Sequence, residues 1–367
     1  MIPERRRLGR AWPRAGAAAL ALLLGCTGST YSLGTDCIPS GTEKDLQAAI
    51  DSREQVLLCQ RAVITLSAPV VLRQGLTLET IHRPMAAADM AHIVLGPDFA
   101  GNRSAVVSSG SNIHVAHIHF DGNRRVLGPQ DQVELLRLGP GKTYTVTGCT
   151  FSDASGWTHL HMVEPCSGAL VSGNTVESAV RAHDVAHNTD GLSISCATSM
   201  VEDNSISDIT GVGIVYYGGP GTIIRNNTII ETTASAYSGI NVGDAVRLDH
   251  TGVIIEQNTI RAIGSSYFHI GISAGLHAWR QKNISGVTVR RNAISGQIRY
   301  GLAVDGCIDC VIQDNQITDW RPLAGIPGCP APAAYIASVA NRHAGGTLQP
   351  GFTDVTIDGC LGAPIAP

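Results

Sequence analysis

The sequence predicts an all-β solenoid in which short parallel strands coil around one core. Six segments share an apolar alternation that is followed by Asn, one further residue and an apolar residue. Their asparagines lie 30, 23, 31, 34 and 23 residues apart, at Asn174, Asn204, Asn227, Asn258, Asn292 and Asn315. Repeats of about 20 to 50 residues are typical of solenoids. Because no long amphipathic helix falls between these segments, the repeated unit is built from strands.

A second apolar motif in each coil usually begins at a glycine, and strict alternation places every second side chain on one face of a strand. The pairs expected to point into the shared interior are Leu192/Ile194, Ile214/Tyr216, Ile240/Val242, Ile272/Ala274 and Leu302/Val304. Stacked coils bring equivalent residues about 4.8 Å apart. An inward Asn at the same turn of every coil can therefore hydrogen-bond the next one and form a ladder. Further upstream, we expect Cys149 and His117 to take the Asn position.

These motifs resemble the right-handed parallel β-helix of the pectin-lyase-like superfamily, over roughly residues 41–361. The resemblance implies a single-stranded right-handed parallel β-helix and a function on polysaccharide. It does not imply one chemistry, since this fold hosts unrelated functions. At its start, Asp45–Asp51 reads as a short amphipathic helix with Ser40, Gly41 and Thr42 as capping candidates. Such a helix would cover the exposed edge of the first coil.

The N-terminus reads as a targeting segment. Arginines precede a short apolar run at residues 15–25, which is too short to cross a bilayer as a helix. The residues that end at Cys26 resemble a bacterial lipobox, which implies cleavage before Cys26 and its lipidation; an ordinary secretory signal is the alternative. We expect an extracytoplasmic monomer, anchored by its lipid to a cell-envelope membrane (the outer membrane where the host has one).

The domain organisation follows from these segments. It comprises a signal peptide (1–25), a lipid-anchored tether (26–40), an N-terminal cap (41–61), the β-helix (62–361) and a tail (362–367). A net charge of −4 argues against a nucleic-acid partner, which would require a basic stripe.

Export permits disulfide bonds, and the chain has 10 cysteines. Besides Cys26, we expect the pairs Cys37–Cys59, Cys166–Cys196, Cys307–Cys310 and Cys329–Cys360, with Cys149 left as a buried thiol. A zinc site built from the last four of these paired cysteines is the alternative.

Candidate functional residues cluster on one outer face. The outward column of the glycine-led strands is expected to be Arg137, His161, Ser193, Val215, Asn241, Ser273 and Ala303, and its small residues would leave a groove. The connections before these strands carry a dense set of polar and aromatic residues in an otherwise charge-poor chain. The members of that set are His159, Arg181, His183, Asp184, His187, Asp190, His269, Arg299 and Tyr300. Alternatively, these residues are polar loop positions on a solvated edge.

The residue types favour a lyase or epimerase acting on an acidic, uronate-containing glycan. Such an enzyme removes the proton next to a carboxylate, which needs a base, an acid and a cation for the developing enolate. The candidate catalytic residues are His161, His183 and His187 as base, Tyr217 or Tyr300 as acid, and Arg181 or Arg299 on the carboxylate. We expect His159, Asn241, His269, Arg299 and Tyr300 to bind substrate.

Other functions remain open at this point. Asn188-Thr189-Asp190-Gly191 matches a motif of polygalacturonase-like hydrolases in which the Asp is catalytic, but the paired Asp-Asp of that family is missing, which leaves Asp184 as a partner for Asp190. Without such partners, Asp190 would be a turn residue. His159 and His161 alternate onto one strand face and could share a divalent metal, although the sequence requires no cofactor. A carbohydrate-binding or adhesion protein and a structural envelope solenoid are the non-catalytic alternatives.

Overall fold

The computed structural model describes residues 37–99, 104–130, 132–178, 188–243, 249–275, 283–338 and 345–356, together with Cys360. Near the start of the described chain lies helix α1, Glu43–Ser52, which confirms the predicted capping helix. The backbone N–H of Thr42 donates to the Asp45 carboxylate at 2.8 Å, so these two residues form a capping box at the first turn. The apolar stripe of α1 buries Leu46 and Ile50 against the first coil.

Three faces of parallel strands, here called sheets A, B and C, follow one another in each coil. Sheet A comprises Gln55–Leu58, Thr77–Thr80, Ile113–Ala116, Tyr144–Thr147, Leu170–Ser172, Met200–Glu202, Ile223–Arg225, Ile254–Glu256, Thr288–Arg290, Val311–Gln313 and Thr347–Leu348. Sheet B comprises Gly41–Thr42, Val63–Leu66, Ala91–Leu95, Ile118–Asp121, Thr150–Ser152, Thr175–Glu177, Ser205–Ser207, Thr228–Glu231, Thr259–Ala262 and Gln316–Pro322, together with a strand that it shares with sheet C, Ala293–Asp305. This architecture is the parallel β-helix that the sequence predicts.

Sheet C carries the glycine-led strands. Besides the shared strand, it comprises Val70–Val71, Val106–Ser108, Glu134–Leu138, Thr158–Met162, Asp190–Ile194, Val212–Tyr216, Ala236–Val242, Phe268–Gly275, Ala333–Ser338 and Thr353–Val355. Two small pairs flank the coils, Gly141–Lys142 with Cys166–Ser167 and Ile284–Ser285 with Cys307–Ile308. A short helix α2, Arg124–Leu127, and a 3₁₀ turn, Ala87–Asp89, lie in the connections.

The alternation predicted for sheet C is confirmed. All ten residues of the five predicted inward pairs are at most 2% exposed and form part of one continuous core. The predicted outward column is also in register from strand to strand, from Arg137 through His161 and Ser193 to Ala303. The glycines that lead these strands are needed because successive backbones lie close together there. A Cβ atom at Gly239 would lie 2.7 Å from the carbonyl oxygen of Gly271.

The predicted Asn ladder is present at the turn between sheets A and B. Each Asn side chain donates to the Oδ1 of the next Asn at 2.9 to 3.0 Å, without interruption from Asn174 to Asn315. The same side chain also donates to a backbone carbonyl of the preceding coil, as Asn227 does to Val201 at 3.0 Å. Its Oδ1 accepts from a backbone N–H of that coil. Each buried amide is therefore fully hydrogen-bonded, which is what makes a polar core position tolerable.

Cys149 takes the ladder position that the sequence predicts, since its backbone N–H donates to Asn174 Oδ1 at 3.0 Å. The prediction for His117 is wrong by one residue. Strand register places Ile118 level with Cys149, and His117 occupies the preceding turn position, with a φ of +52°. Gly148 has the same left-handed conformation in the next coil. A side chain at this turn points away from the core, and the His117 ring bonds the Pro84 carbonyl.

All four predicted disulfide bonds are present: Cys37–Cys59, Cys166–Cys196, Cys307–Cys310 and Cys329–Cys360. The zinc alternative is therefore wrong, because its four cysteines are paired with one another. Cys149 is a buried free thiol, and burial raises its pKa to about 12. No helix among the described residues is long and apolar enough to cross a membrane. The predicted lipidation site, Cys26, lies outside the described residues.

Candidate active site

The candidate active site lies on the outer face of sheet C, around His161. Six side chains meet there, which we call the His161 cluster: Glu134, Trp157, His161, Asp190, Ser193 and Tyr217. They come from four successive coils, because Glu134 is in register with Thr158, Thr158 with Asp190, and the Asp190 strand with the strand that Tyr217 follows. Four of the predicted wall residues, Arg181, His183, Asp184 and His187, lie outside the described residues.

The shortest polar contact of the cluster joins His161 to Glu134. His161 Nδ1 lies 2.7 Å from Glu134 Oε1, and the two side chains are 16% and 9% exposed. Glu134 Oε2 also accepts from the Ser104 hydroxyl and lies 3.3 Å from Arg137 Nε. Because a carboxylate can only accept, it selects the imidazole tautomer with hydrogen on Nδ1. The Nε2 lone pair of His161 is then available to take a proton.

Aromatic rings fix the position of this imidazole. The Trp157 ring packs edge-on against His161, with ring centroids 4.8 Å apart, and the Tyr217 ring lies 6.5 Å away. Burial, followed by the nearby Asp190 carboxyl, raises the pKa of Tyr217 far above its usual value. Tyr217 is therefore a protonated phenol at neutral pH and can act as a hydrogen-bond donor or an acid. The sequence prediction that His161 and Tyr217 belong together agrees with this geometry.

Asp190 lies on the opposite side of Tyr217. Its Oδ1 accepts from the backbone N–H of Val212 at 2.8 Å. The Ser193 hydroxyl hydrogen-bonds both the Asp190 carboxyl group and the Tyr217 hydroxyl. Burial outweighs these hydrogen bonds and raises the pKa of Asp190 to about 7. A carboxyl group with this pKa can exchange a proton under physiological conditions. The residue begins a strand of sheet C, so its interpretation as a simple turn residue is wrong.

His159 does not join His161. It occupies the glycine position of its coil, is fully buried, and its Nδ1 lies 2.8 Å from the Asp190 carbonyl oxygen. Burial lowers its pKa to about 4, so it is neutral. The predicted shared metal position of His159 and His161 is therefore wrong, because the two rings bond different groups. Within the described ranges, no three His, Cys, Asp or Glu side chains are grouped closely enough to hold a metal ion.

The middle of the outward column is covered rather than open. Val215, Asn241 and Ser273 are fully buried, and the Ser273 hydroxyl donates to Asn241 Oδ1 at 2.6 Å. The prediction that small residues leave a groove there is wrong for these coils, as is direct contact of Asn241 or His159 with a substrate. Larger side chains stand at the beginning of the later strands of this face, a region that we call its second end.

The second end carries the remaining predicted residues. Tyr300 is 1% exposed, and its hydroxyl donates to the Pro330 carbonyl at 2.7 Å. Because its proton is held in this hydrogen bond, Tyr300 is not placed to act as an acid. His269 packs edge-on against Tyr267, with ring centroids 5.1 Å apart, and lies 6.3 Å from the Tyr237 ring. Burial, with the charge of Arg299 second, lowers the pKa of His269 to about 3. Arg299 is 5% exposed and donates through Nε to the Ala324 carbonyl at 3.1 Å.

Glu134 is a candidate site residue that sequence reasoning missed. It begins the strand Glu134–Leu138, where a carboxylate stands in a run of leucines. A buried carboxylate in an apolar strand is unusual unless it is paired. A glutamate at the start of such a leucine-rich strand is a signal that can be seen in the sequence. Its partner His161 lies 27 residues further on, so nothing local in the sequence joins the two.

Comparison with known proteins agrees with the fold. A family model described as a right-handed β-helix region matches residues 136–277. No curated protein matches the chain in sequence. An alginate lyase from Paenibacillus sp. str. FPU-7 aligns over 78% of this chain and 97% of its own, with 13% identity and a TM-score of 0.55.

Two further solved structures are similar. Endopolygalacturonase I from Stereum purpureum, complexed with two galacturonate, aligns over 88% of this chain and 99% of its own, with 15% identity and a TM-score of 0.52. The tailspike protein of E. coli bacteriophage HK620, in complex with a pentasaccharide, aligns over 85% of this chain and 68% of its own, with 16% identity and a TM-score of 0.52. At these identities the likeness shows the fold alone.

Proposed function

Since the chain is a right-handed parallel β-helix protein, we propose that it acts on an acidic polysaccharide at the His161 cluster, as a lyase or an epimerase. The observation that carries this proposal is the 2.7 Å contact between His161 Nδ1 and Glu134 Oε1, on a ring that still reaches solvent. A histidine held by a carboxylate in one tautomer and placed beside a protonated tyrosine is an acid–base pair. Proton abstraction next to a uronate carboxylate requires such a pair.

Each residue of the pair has a defined part in the reaction. Nε2 of His161 takes the proton from the carbon next to the carboxylate, and Glu134 stabilises the imidazolium that forms. Tyr217 donates its phenolic proton, either to the departing glycosidic oxygen in a lyase or to the same carbon from the opposite side in an epimerase. Arg137, whose Nε lies 3.3 Å from Glu134 Oε2, supplies the cation for the substrate carboxylate.

The substrate class has independent support. An alginate lyase, a polygalacturonase bound to galacturonate and a tailspike bound to a pentasaccharide have similar folds. The enzyme names and the bound ligands of these three proteins all refer to saccharides. We also propose that the protein is exported and anchored through lipid on Cys26, as its N-terminal sequence indicates. Mass spectrometry of the mature N-terminus, with Cys26→Ala as the unlipidated control, tests that proposal.

A glycoside hydrolase is the second candidate, and the raised pKa of Asp190 favours it. A hydrolase needs one carboxyl group that holds a proton and one that is ionised. Asp190, with a pKa of about 7, is suited to be the acid. Among the described carboxylates of the cluster, Glu134 is the second carboxyl group, in place of the predicted Asp184. In that mechanism Asp190→Asn, rather than His161→Ala, would cause the larger loss of activity.

The decisive experiment is a screen of the purified protein on alginate, pectate, glycosaminoglycans and neutral glycans. Ultraviolet absorbance reports unsaturated uronate, reducing ends report any bond cleavage, and uptake of solvent deuterium reports epimerisation. We expect absorbance or deuterium uptake that falls by about 10²- to 10⁴-fold in His161→Ala. His114→Ala is the matched control, since His114 is a half-buried histidine of sheet A outside the cluster.

The other outcomes assign other functions. Reducing ends without absorbance, lost in Asp190→Asn, would establish the hydrolase. Silence in all three assays, with and without divalent metal, would reject an enzyme acting on these glycans. Retention of a glycan on the protein would then identify a binding or adhesion protein.

A further inference from the structure

Three side chains at the second end of sheet C form a ladder of their own. Tyr237, His269 and Arg299 occupy the same register position in three successive coils, since the residues on either side of them are paired strand to strand. We call them the Arg299 ladder. Successive rungs are about 4.8 Å apart. Along the solenoid axis, Tyr237 lies two coils beyond Asp190, and Arg299 lies four coils beyond it.

The side chains of this ladder are incompletely hydrogen-bonded. The Tyr237 hydroxyl and His269 Nδ1 are buried and have no hydrogen-bond partner. Among the described residues, the Arg299 guanidinium has one hydrogen bond, from Nε to the Ala324 carbonyl, and no ion pair. Burial lowers the pKa of Arg299, which means that the folded protein holds this positive charge at a cost. A bound anion would provide a partner for all three side chains.

Another buried arginine shows that the fold can satisfy such a group. Arg124 is also 5% exposed, and its Nη1 donates to the Thr189 hydroxyl at 2.8 Å and to the Ala154 carbonyl at 3.4 Å. The Tyr300 hydroxyl, next to Arg299 in sequence, is likewise bonded to Pro330. What distinguishes the Arg299 ladder is that two successive rungs, Tyr237 and His269, each keep an unbonded buried atom beside a buried arginine.

We propose that the Arg299 ladder is a binding site for a carboxylate. The Arg299 guanidinium supplies the charge and two donor nitrogens in a fork that matches a carboxylate. His269 supplies a neutral imidazole N–H and Tyr237 a hydroxyl, both donors that a carboxylate oxygen can accept. That the carboxylate belongs to a uronate of the glycan rests on the proposed function, whereas the anion site itself does not.

Thermal unfolding of the purified protein in added anions tests the site without any need for catalysis. At pH 7 and constant ionic strength, we expect sodium acetate to raise the Tm by about 2 °C at ten times its Kd, relative to sodium chloride. Arg299→Gln removes the charge but keeps a side-chain nitrogen at the depth of Nε, so the bond to Ala324 can remain. This variant should lose the acetate effect and should unfold at a higher temperature than the wild type in the absence of carboxylate.

The matched control is Arg73→Gln. Arg73 also donates through Nε to a backbone carbonyl, that of Ile50 at 2.7 Å, and it lies at the other end of the solenoid. This variant should keep the full acetate effect. An Arg299→Gln protein that is less stable than the wild type and still responds to acetate would overturn the proposal, because Arg299 would then be a structural brace. Absence of any acetate effect in the wild type would overturn it equally.

The source of the carboxylate is decided in a second arm, in the His161→Ala background so that turnover does not consume the ligand. Trigalacturonate and its methyl ester are compared by calorimetry. Binding of the acid alone, weakened at least tenfold by Arg299→Gln, supports a uronate site. An acetate effect without trigalacturonate binding supports a site for small carboxylates and overturns the uronate assignment. Equal binding of acid and ester would show that the carboxylate is not recognised.

Discussion

The Asn ladder and the outer face of sheet C run through the same coils, yet they treat buried polar groups in opposite ways. Asn227 donates to Asn258 and Val201 and accepts from Asn204, so its amide is completely bonded. On the outer face, Asp190 has a raised pKa, and His269 and Tyr237 keep buried atoms without partners. The buried polar groups of the Asn ladder are therefore fully hydrogen-bonded, whereas some buried polar groups on the outer face of sheet C are not.

This contrast separates structure from function within one repeat. A buried polar group that recurs in every coil can be satisfied by its own copies above and below. A buried polar group that occurs once, as Glu134 and Asp190 do, must find an unlike partner or remain costly. Proteins keep such costly groups chiefly at functional sites. The irregular side chains of sheet C are thus the ones from which we infer chemistry.

Breaking the Asn ladder should have the largest effect on stability. Asn227→Ala leaves the Val201 carbonyl and both the backbone and side-chain nitrogens of Asn204 without their partners. At about 1–3 kcal/mol for each of these three unsatisfied buried groups, we expect the free energy of unfolding to fall by about 3–9 kcal/mol. Urea unfolding followed by circular dichroism measures this change.

The neighbouring Asn226 provides the control. It is exposed and adopts a left-handed conformation, with a φ of +54°, at a turn where other coils have glycine. Asn226→Gly should therefore change the free energy of unfolding by less than about 0.5 kcal/mol. Similar losses in both variants would mean that the ladder bonds do not stabilise the fold.

On the outer face, Asp190→Asn should stabilise the protein at pH 8. Burial raises the pKa of Asp190 to about 7, so the folded protein holds the proton more tightly than the unfolded chain. The contribution of this group to stability is greatest at low pH, where both states are protonated, and falls as pH rises from about 4 to about 7. Allowing for partial solvent access, Asn should add about 2–3 kcal/mol at pH 8 and almost nothing at pH 4.

Asp208 offers the opposite sign as a matched control. Burial alone would raise its pKa, but hydrogen bonds from Thr232 and from the backbone of the next two residues outweigh burial and lower it. Asp208→Asn should therefore destabilise the protein at pH 8, with a smaller loss as pH falls. Chemical unfolding at pH 4, 6 and 8 distinguishes the two variants. Equal pH profiles would contradict the assignment of a costly carboxyl group to the outer face.

The sequence predicted the regular edge far better than the irregular one, and the reason is physical. A ladder bond joins identical residues at a fixed turn, so the repeat reveals both partners at once. The bond between His161 and Glu134 joins unlike residues from different coils, and no spacing rule connects them. The prediction of His161 was possible because the outward column follows from alternation, and Asp190 was recognisable from its Asn-Thr-Asp-Gly motif. Burial of Asn241 and Tyr300 depends on what covers the column, which alternation does not determine.

Extending the ladder by one rung is the smallest change and the most direct test of how it works. Cys149 already lies in the ladder position, and its Sγ makes a weak contact with the Val115 carbonyl at 3.8 Å. At the equivalent carbonyl, a ladder Asn makes a hydrogen bond of 2.9 to 3.0 Å. In Cys149→Asn, the new amide would donate to that carbonyl and to Asn174 Oδ1, so we expect the free energy of unfolding to rise by up to about 1 kcal/mol. Cys149→Ser, which is too short to reach both acceptors, should instead lower it. A gain with Asn and a loss with Ser would show that ladder stability comes from the amide bonds themselves, whereas losses in both would show that packing around the thiol determines this rung.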